Sequence, residues 1–215
     1  MAAEPAQALT APDSVPLLLI LVGYLCGSVP WGLLLARRVG VDVRRTGSGN
    51  IGAANVARSA GIGLGLATLL ADALKGAVPV LLARWLTADP TIAAAAGVAA
   101  FLGHVFPVTL RFAGGKGVAT ALGVLATLAP LTAAVATAVF VLVLATSRHV
   151  SLASVVAATS APLVMAGLGQ PPPVLIAATV MTAVIVARHR GNFARLREGT
   201  EPRFTLHKRQ APLGK

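Results

Sequence analysis

Three stretches of this chain gather residue types that suit the binding of an oxyanion. The first runs Thr46-Gly47-Ser48-Gly49-Asn50-Ile51-Gly52 and on through Asn55 to Arg58. Its glycines let successive N–H groups turn toward one point, and Ser48 and Arg58 add side-chain donors. The second runs Gly103-His104-Val105-Phe106-Pro107, then Arg111-Phe112-Ala113-Gly114-Gly115-Lys116-Gly117-Val118-Ala119-Thr120. It sets a lysine among glycines at a predicted helix start, where backbone donors, the positive helix end and an ammonium coincide. It is not a Walker loop: Gly117 follows Lys116 where Ser or Thr should stand, and Leu110 takes the place of the first glycine. The third is Arg188-His189-Arg190-Gly191-Asn192-Phe193-Ala194-Arg195-Leu196-Arg197-Glu198-Gly199-Thr200-Glu201. A stop-transfer cluster accounts for its arginines but does not require His189 and Asn192 one helical turn apart.

Several neighbouring residues admit two readings. His104 sits near the end of an apolar segment, as a helix-capping histidine or a group facing ligand. Ser151 follows Arg148-His149-Val150 at a helix start, as an N-cap or a substrate contact. Asp72 and Lys75, three apart in an apolar run, suit a structural ion pair. Glu198 and Glu201 either hold the third stretch's arginines or are plain surface carboxylates. Cys26 is the only cysteine, which excludes an intramolecular disulfide, a thiolate metal site and a CxxC redox motif. No Cys-His or Ser-His-Asp arrangement is evident, and no cluster at metal-ligand spacing, so neither a metal nor a cofactor is expected.

The elements that must position these stretches are membrane helices. Of 215 residues, 56% are hydrophobic and 12% charged, a balance that water would not dissolve. The formal charge of +11 does not point to nucleic acid, because aromatics are 4% and no basic helix stands free of apolar segments. A membrane surface and anionic substrates fit it better. Val15–Ala36, Ile62–Leu86 and Thr91–Leu110 each supply the ~20 residues a crossing needs. Val15–Ala36 is read as a retained span, since Glu4 and Asp13 precede it and no Lys or Arg does. Val118–Ser147 is too long for one crossing and carries Pro130, so it is read as two short helices. Ser151–Leu168 and Pro173–Ala187, joined at Gln170-Pro171-Pro172-Pro173, complete seven spans.

This parity gathers the basic segments on one side. Of the 18 Lys and Arg residues only Lys75 and Arg84 lie elsewhere. The positive-inside rule makes that side cytoplasmic and places the N-terminus outside a cell membrane. The expected organisation is an all-α polytopic membrane protein: an extracellular tail over 1–14, a transmembrane domain over 15–201, and a basic cytoplasmic tail over 202–215. Nothing in the chain points to a particular oligomeric state.

In order and wording, the three stretches resemble the motifs of the bacterial acyl-phosphate-dependent glycerol-3-phosphate acyltransferases. The likeness extends from about Leu21 to Glu201, and the strings Gly-Ser-Gly-Asn-Ile-Gly and Gly-Gly-Lys-Gly-Val-Ala carry most of its specificity. Departures are few: Ala54 where threonine is usual, Ala113 where lysine is common, Phe193 where isoleucine is common. The resemblance implies acyl transfer from acyl phosphate to the 1-hydroxyl of glycerol 3-phosphate, giving lysophosphatidic acid and phosphate in the first acylation of phospholipid synthesis. It implies catalytic roles for Ser48, Arg58, Lys116, His189 and Asn192. Substrate contacts are expected from Gly47, Gly49, Asn50, His104, Gly114, Gly115, Gly117 and Ser151. The partners are then acyl phosphate, glycerol 3-phosphate and membrane lipid. Two other classes are weaker. Acyl-CoA-dependent acyltransferases carry His, four residues, then Asp, which no histidine here has. A phosphate transporter should place its binding groups near mid-membrane rather than on one face.

Overall fold

A computed structural model describes residues 14–204. The expected extracellular tail, apart from Ser14, and the basic tail from 205 onward lie outside the described residues. Within them every regular element is helical, with no strand.

The first apolar segment forms not one helix but two, α1 (Ser14–Gly27) and α2 (Trp31–Arg37). The break falls before Pro30, which has no N–H to donate back to Cys26 O and so cannot continue α1. Side chains from elsewhere bond the carbonyls at the break: the buried Lys75 Nζ donates to Val29 O at 2.8 Å, and Thr109 Oγ1 donates to Ser28 O at 2.6 Å. Lys75 is neutralised by Asp72 at 2.9 Å across the expected i,i+3 spacing. A lysine that hydropathy alone would keep out of a span is thus held there by the broken helix beside it.

After α3 (Ala53–Ala60) the chain enters α4 (Ile62–Thr87) and α5 (Pro90–Val105). Expectation carried this last span to Leu110. It ends at Val105 because Pro107 steers Phe106 out of helical geometry, and a separate 3-10 turn follows at Val108–Leu110. The long segment divides as expected, into α6 (Val118–Leu128) and α7 (Pro130–Ser147), with Ala129 out of helical geometry between them. Then come α8 (Val150–Gly167), α9 (Pro172–Arg188) and α10 (Arg190–Arg197), the last two meeting at a 49° bend.

The protein is an integral membrane protein. Five of its helical segments are long and apolar enough to cross a bilayer, or six if the bent α9–α10 pair counts as one span. A count of seven needs the shorter α6 as well. Helices approach closely where glycines face backbone: a Cβ on Gly27 would lie 1.9 Å from Ala100 O, and one on Gly123 1.9 Å from Ala73 O. Lipid tails give helices no hydrophobic reason to associate, so such contacts between small residues carry the packing. Phe101, Val105, Val124, Met165 and Met181 fill the interior, while Leu17, Leu70, Leu142, Leu163 and Ile176 face outward.

Candidate functional site

The first stretch folds around Asn55. Its side chain is buried, and Nδ2 donates to Val43 O at 2.9 Å, Thr46 O at 3.1 Å and Asn50 O at 2.8 Å. Its Oδ1 accepts from Ser48 N at 2.9 Å. Two N–H bonds serve three carbonyls, so at least one is shared. Two further loop amides bond within the loop: Gly49 N donates to Thr46 O and Gly52 N to the side chain of Asn50. Ala53 and Ala54, in the first turn of α3 where amides have no helical partner, face the site. Gly47, with φ +58°, has no room for a Cβ, which would meet Asn55 Oδ1 at 2.3 Å. Arg58, one turn on, is braced by Nε donating to Ala54 O at 3.1 Å.

The second stretch is pinned from beneath. Gly115 N donates to His104 O at 3.1 Å, and a Cβ on Gly115 would lie 2.1 Å from His104 Nε2, so the imidazole lies directly under the glycine. The other ring nitrogen, Nδ1, stands 3.7 Å from Asp72 Oδ1. Gly117, with φ +83°, starts α6 and abuts the ring of Phe101. From α9, Arg188 lies over the Phe106 ring and donates to Gly114 O at 2.9 Å.

A polar chain ties the third stretch to the second. Lys116 Nζ donates to Asn192 Oδ1, and Asn192 Nδ2 donates to Glu201 Oε1 at 2.6 Å. Arg195 Nε donates to Glu201 Oε2 at 2.8 Å. Burial alone would raise the Glu201 pKa. The neighbouring Ser151, Asn192 and Arg195 outweigh it and hold the carboxyl below its ordinary value, although Ser151 Oγ itself meets no acceptor at hydrogen-bond geometry. Burial also acts on the cations. It lowers Lys116 to about 8, helped by Arg195, Arg58 and Arg188 and opposed by Glu201, and it lowers Arg58 as well. His189 is buried with Nδ1 2.8 Å from Ile185 O. A carbonyl only accepts, so Nδ1 carries the proton and Nε2 is left as an acceptor.

These groups line one cavity of about 160 Å³. Ser48, Asn50, Arg58, His104, Lys116, Gly117, Ser151, His189 and Asn192 all reach it. Gly47, Gly49, Gly114 and Gly115 are not among its lining residues and shape the loops behind it. Four helices begin here: Ala53 and Ala54 open α3, Val118 and Ala119 open α6, Val150 and Ser151 open α8, and Asn192 lies in the first turn of α10. Their positive ends and the cations make the cavity a receptor for negative charge. Asn55, Asp72, Arg195 and the α3 amides were not singled out from sequence as site groups. Asn55 was visible as a second asparagine in a short glycine-rich stretch, while the α3 amides carry no side-chain signal at all. Among the described residues no three His, Cys, Asp or Glu are grouped to hold a metal.

A second cavity, of about 340 Å³, adjoins the first and shares Leu69, Val118, Ala119, Phe140 and Ser154 with it. It runs between α6, α7, α8 and α9 and is walled almost wholly by apolar side chains. Its threonine hydroxyls are spent elsewhere, Thr137 on Ala133 O and Thr182 on Ala158 O. The arrangement offers an anion receptor opening directly onto a space for hydrocarbon.

Residues 17–199 match the family model described as glycerol-3-phosphate acyltransferase. A protein of that name from Geobacter sulfurreducens is 53% identical over 189 residues, covering 87% of this chain and 97% of the relative. One from Myxococcus xanthus is 50% identical, covering 86% and 98%. A crystal structure of PlsY (YgiH), an integral membrane glycerol 3-phosphate acyltransferase in its glycerol 3-phosphate form, superposes with a TM-score of 0.85. It is 42% identical and covers 88% of this chain and 96% of that one. The lysophosphatidic acid form of the same protein gives 0.83.

Proposed function

This chain belongs to the glycerol-3-phosphate acyltransferase family, and from that membership we propose that it moves a fatty acyl group from acyl phosphate to the 1-hydroxyl of glycerol 3-phosphate. The products are 1-acyl-glycerol-3-phosphate and inorganic phosphate. The observation that carries this reading is the junction of the two cavities, one cationic and one apolar. An acyl phosphate needs both, with its phosphate among donors and its chain in hydrocarbon, and the acceptor brings a second phosphate.

Arg58 is suited to grip a phosphate with its planar fork, while Lys116 is a compact charge able to follow negative charge as it develops. Asn192 and Glu201 hold Lys116 in place. The acceptor's 1-hydroxyl oxygen attacks the acyl carbon, the new ester C–O bond forms, and the bond to the phosphate oxygen breaks with phosphate leaving. The hydroxyl proton goes to His189 Nε2 or to the acceptor's own phosphate, whose second pKa is about 6. Direct transfer is favoured over an acyl-enzyme because the donor is already activated. Neither Ser48 nor Ser151 is hydrogen-bonded to a histidine, as an activated serine nucleophile would be. Orientation of two bound reactants contributes roughly 7–11 kcal/mol and each well-aimed donor about 3–4 kcal/mol, which suffices without covalent catalysis.

The distribution of Lys and Arg supports a plasma-membrane protein whose transmembrane domain spans 15–201, with its N-terminus outside and its site on the cytoplasmic face. The test supplies purified protein in proteoliposomes with glycerol 3-phosphate and either palmitoyl phosphate or palmitoyl-CoA. Lysophosphatidic acid should form with palmitoyl phosphate alone, and Lys116→Ala or Arg58→Ala should cut it at least about a hundredfold. Product from the CoA ester alone would overturn the donor. Uptake of phosphate compounds without product would make the protein a transporter.

A further inference from the structure

Arg58 and Lys116 have work in the mechanism above, and Arg188 is committed to Gly114 O and the Phe106 ring. Arg195 is the cation left over. It lines the cationic cavity from α10, one turn beyond Asn192. Its Nε donates to Glu201 Oε2 at 2.8 Å, while Asn192 holds the other carboxylate oxygen. Among the described residues neither Nη1 nor Nη2 has a hydrogen-bond acceptor, so four of the five guanidinium N–H bonds are unused. The side chain runs back toward the start of α10, since a Cβ on Gly191 would stand 3.7 Å from Nη1. Glu201 thus fixes the guanidinium by one nitrogen and leaves its terminal fork for something else.

The charge around the fork asks for an anion. Asp72 is neutralised by Lys75, so Glu201 is the one carboxylate lining the cavity to set against Arg58, Lys116 and Arg195. Arg195 also helps to hold the Lys116 and Arg58 pKa values down, so the three cations repel one another across the cavity. Two phosphates reach this space from different media. The donor's head must lie where the two cavities meet, at Val118 and Ala119, because its chain occupies the apolar one. Arg195 lies away from that junction, beside the exposed Pro202, with 39% of its side chain open to solvent. Glycerol 3-phosphate has no hydrocarbon chain and arrives from water.

We propose that Arg195 is a further binding residue for glycerol 3-phosphate, gripping its phosphate with Nη1 and Nη2 while Glu201 holds Nε. The inference deepens the reading above and rests on its acceptor. A planar fork held by one nitrogen meets two phosphate oxygens with little ordering left to do. Glu201 then orients two groups at once, Arg195 directly and Lys116 through Asn192.

The experiment measures glycerol 3-phosphate binding by calorimetry on purified protein with no acyl donor present, then KM for glycerol 3-phosphate and for palmitoyl phosphate. Arg195→Gln should weaken binding and raise KM for glycerol 3-phosphate by about ten- to a hundredfold, as lost hydrogen bonds between charged groups do, and leave KM for palmitoyl phosphate within about twofold of wild type. Arg195→Lys keeps a charge for Glu201 but has no fork to spare, and should lose at least about threefold in affinity. In a Glu201→Gln background, where no carboxylate needs holding, Arg195→Gln should still weaken binding at least about fivefold. A residue acting only through Glu201 would lose nothing further there. Arg197→Gln removes the same charge from an exposed α10 residue outside the cavity and should leave both constants unchanged. Wild-type affinity in Arg195→Lys, no added loss in the Glu201→Gln background, or a rise confined to KM for palmitoyl phosphate would overturn the proposal. The donor reading fails separately: wild type would then bind glycerol 3-phosphate, with the same dependence on Arg195, yet form no product from palmitoyl phosphate.

Discussion

Replacing Gly117 with alanine strikes the joint between Lys116 and α6, and its cost can be worked from two independent terms. The residue sits at φ +83°, where an L side chain is strained by roughly 1–2 kcal/mol. Its new Cβ would also lie 2.2 Å from Phe101 Cε2 and 2.8 Å from Cδ2. Phe101 is fully buried and cannot swing aside, so overpacking adds roughly 1–3 kcal/mol. The expected destabilisation is about 2–5 kcal/mol, measured by unfolding in detergent. Because the joint also sets where Lys116 sits, KM for glycerol 3-phosphate should rise. Adding Phe101→Leu should return the steric part and leave the strain, a coupling of roughly 0.5–3 kcal/mol in a double-mutant cycle. Stability within about 0.5 kcal/mol of wild type with unchanged KM, or no recovery in the double variant, would refute this account of the joint.

Three further outcomes follow from the same geometry. Burial lowers the Lys116 pKa to about 8, and in the proposed mechanism its ammonium holds phosphate only while charged. kcat/KM for glycerol 3-phosphate should therefore be level below that pH and fall above it, and Lys116→Arg, whose charge persists, should abolish the falling limb. Asn55→Ala strands Ser48 N and three loop carbonyls, so stability should drop by about 1–3 kcal/mol and glycerol 3-phosphate binding should weaken; a thermal shift and KM check both. Glu201→Gln keeps one acceptor for Asn192 but removes the charge holding Arg195, and a loss of about 1.4 kcal/mol, tenfold in kcat/KM, is expected.

What could be read from the chain, and what could not, divides along physical lines. Apolar length and Pro130 announced the membrane helices and the α6–α7 break, because both depend on local composition. The break at Pro30 went unread because hydropathy averages over it, and it is repaired by Lys75 from another helix. The ion pair Asp72–Lys75 was foreseen from its spacing, but not that His104 stands beside it and beneath Gly115. Such a stack is set by tertiary packing alone. The glycine strings marked where the loops lie, but not that Asn55 takes up Ser48 N or that the first turn of α3 faces the site, because both depend on how the loop folds back. The hydrocarbon cavity was invisible: its walls are ordinary alanines, leucines and threonines whose gap appears only when four helices are placed together.

The central claim is that one cationic cavity holds both phosphates and passes the acyl group directly between them. The measurement that tests it most directly is rapid-mix phosphate release from palmitoyl phosphate with enzyme in excess, with and without glycerol 3-phosphate. Direct transfer predicts that phosphate appears only when glycerol 3-phosphate is present, in step with lysophosphatidic acid. A stoichiometric burst of phosphate without the acceptor, leaving an acyl group on the protein, would contradict it.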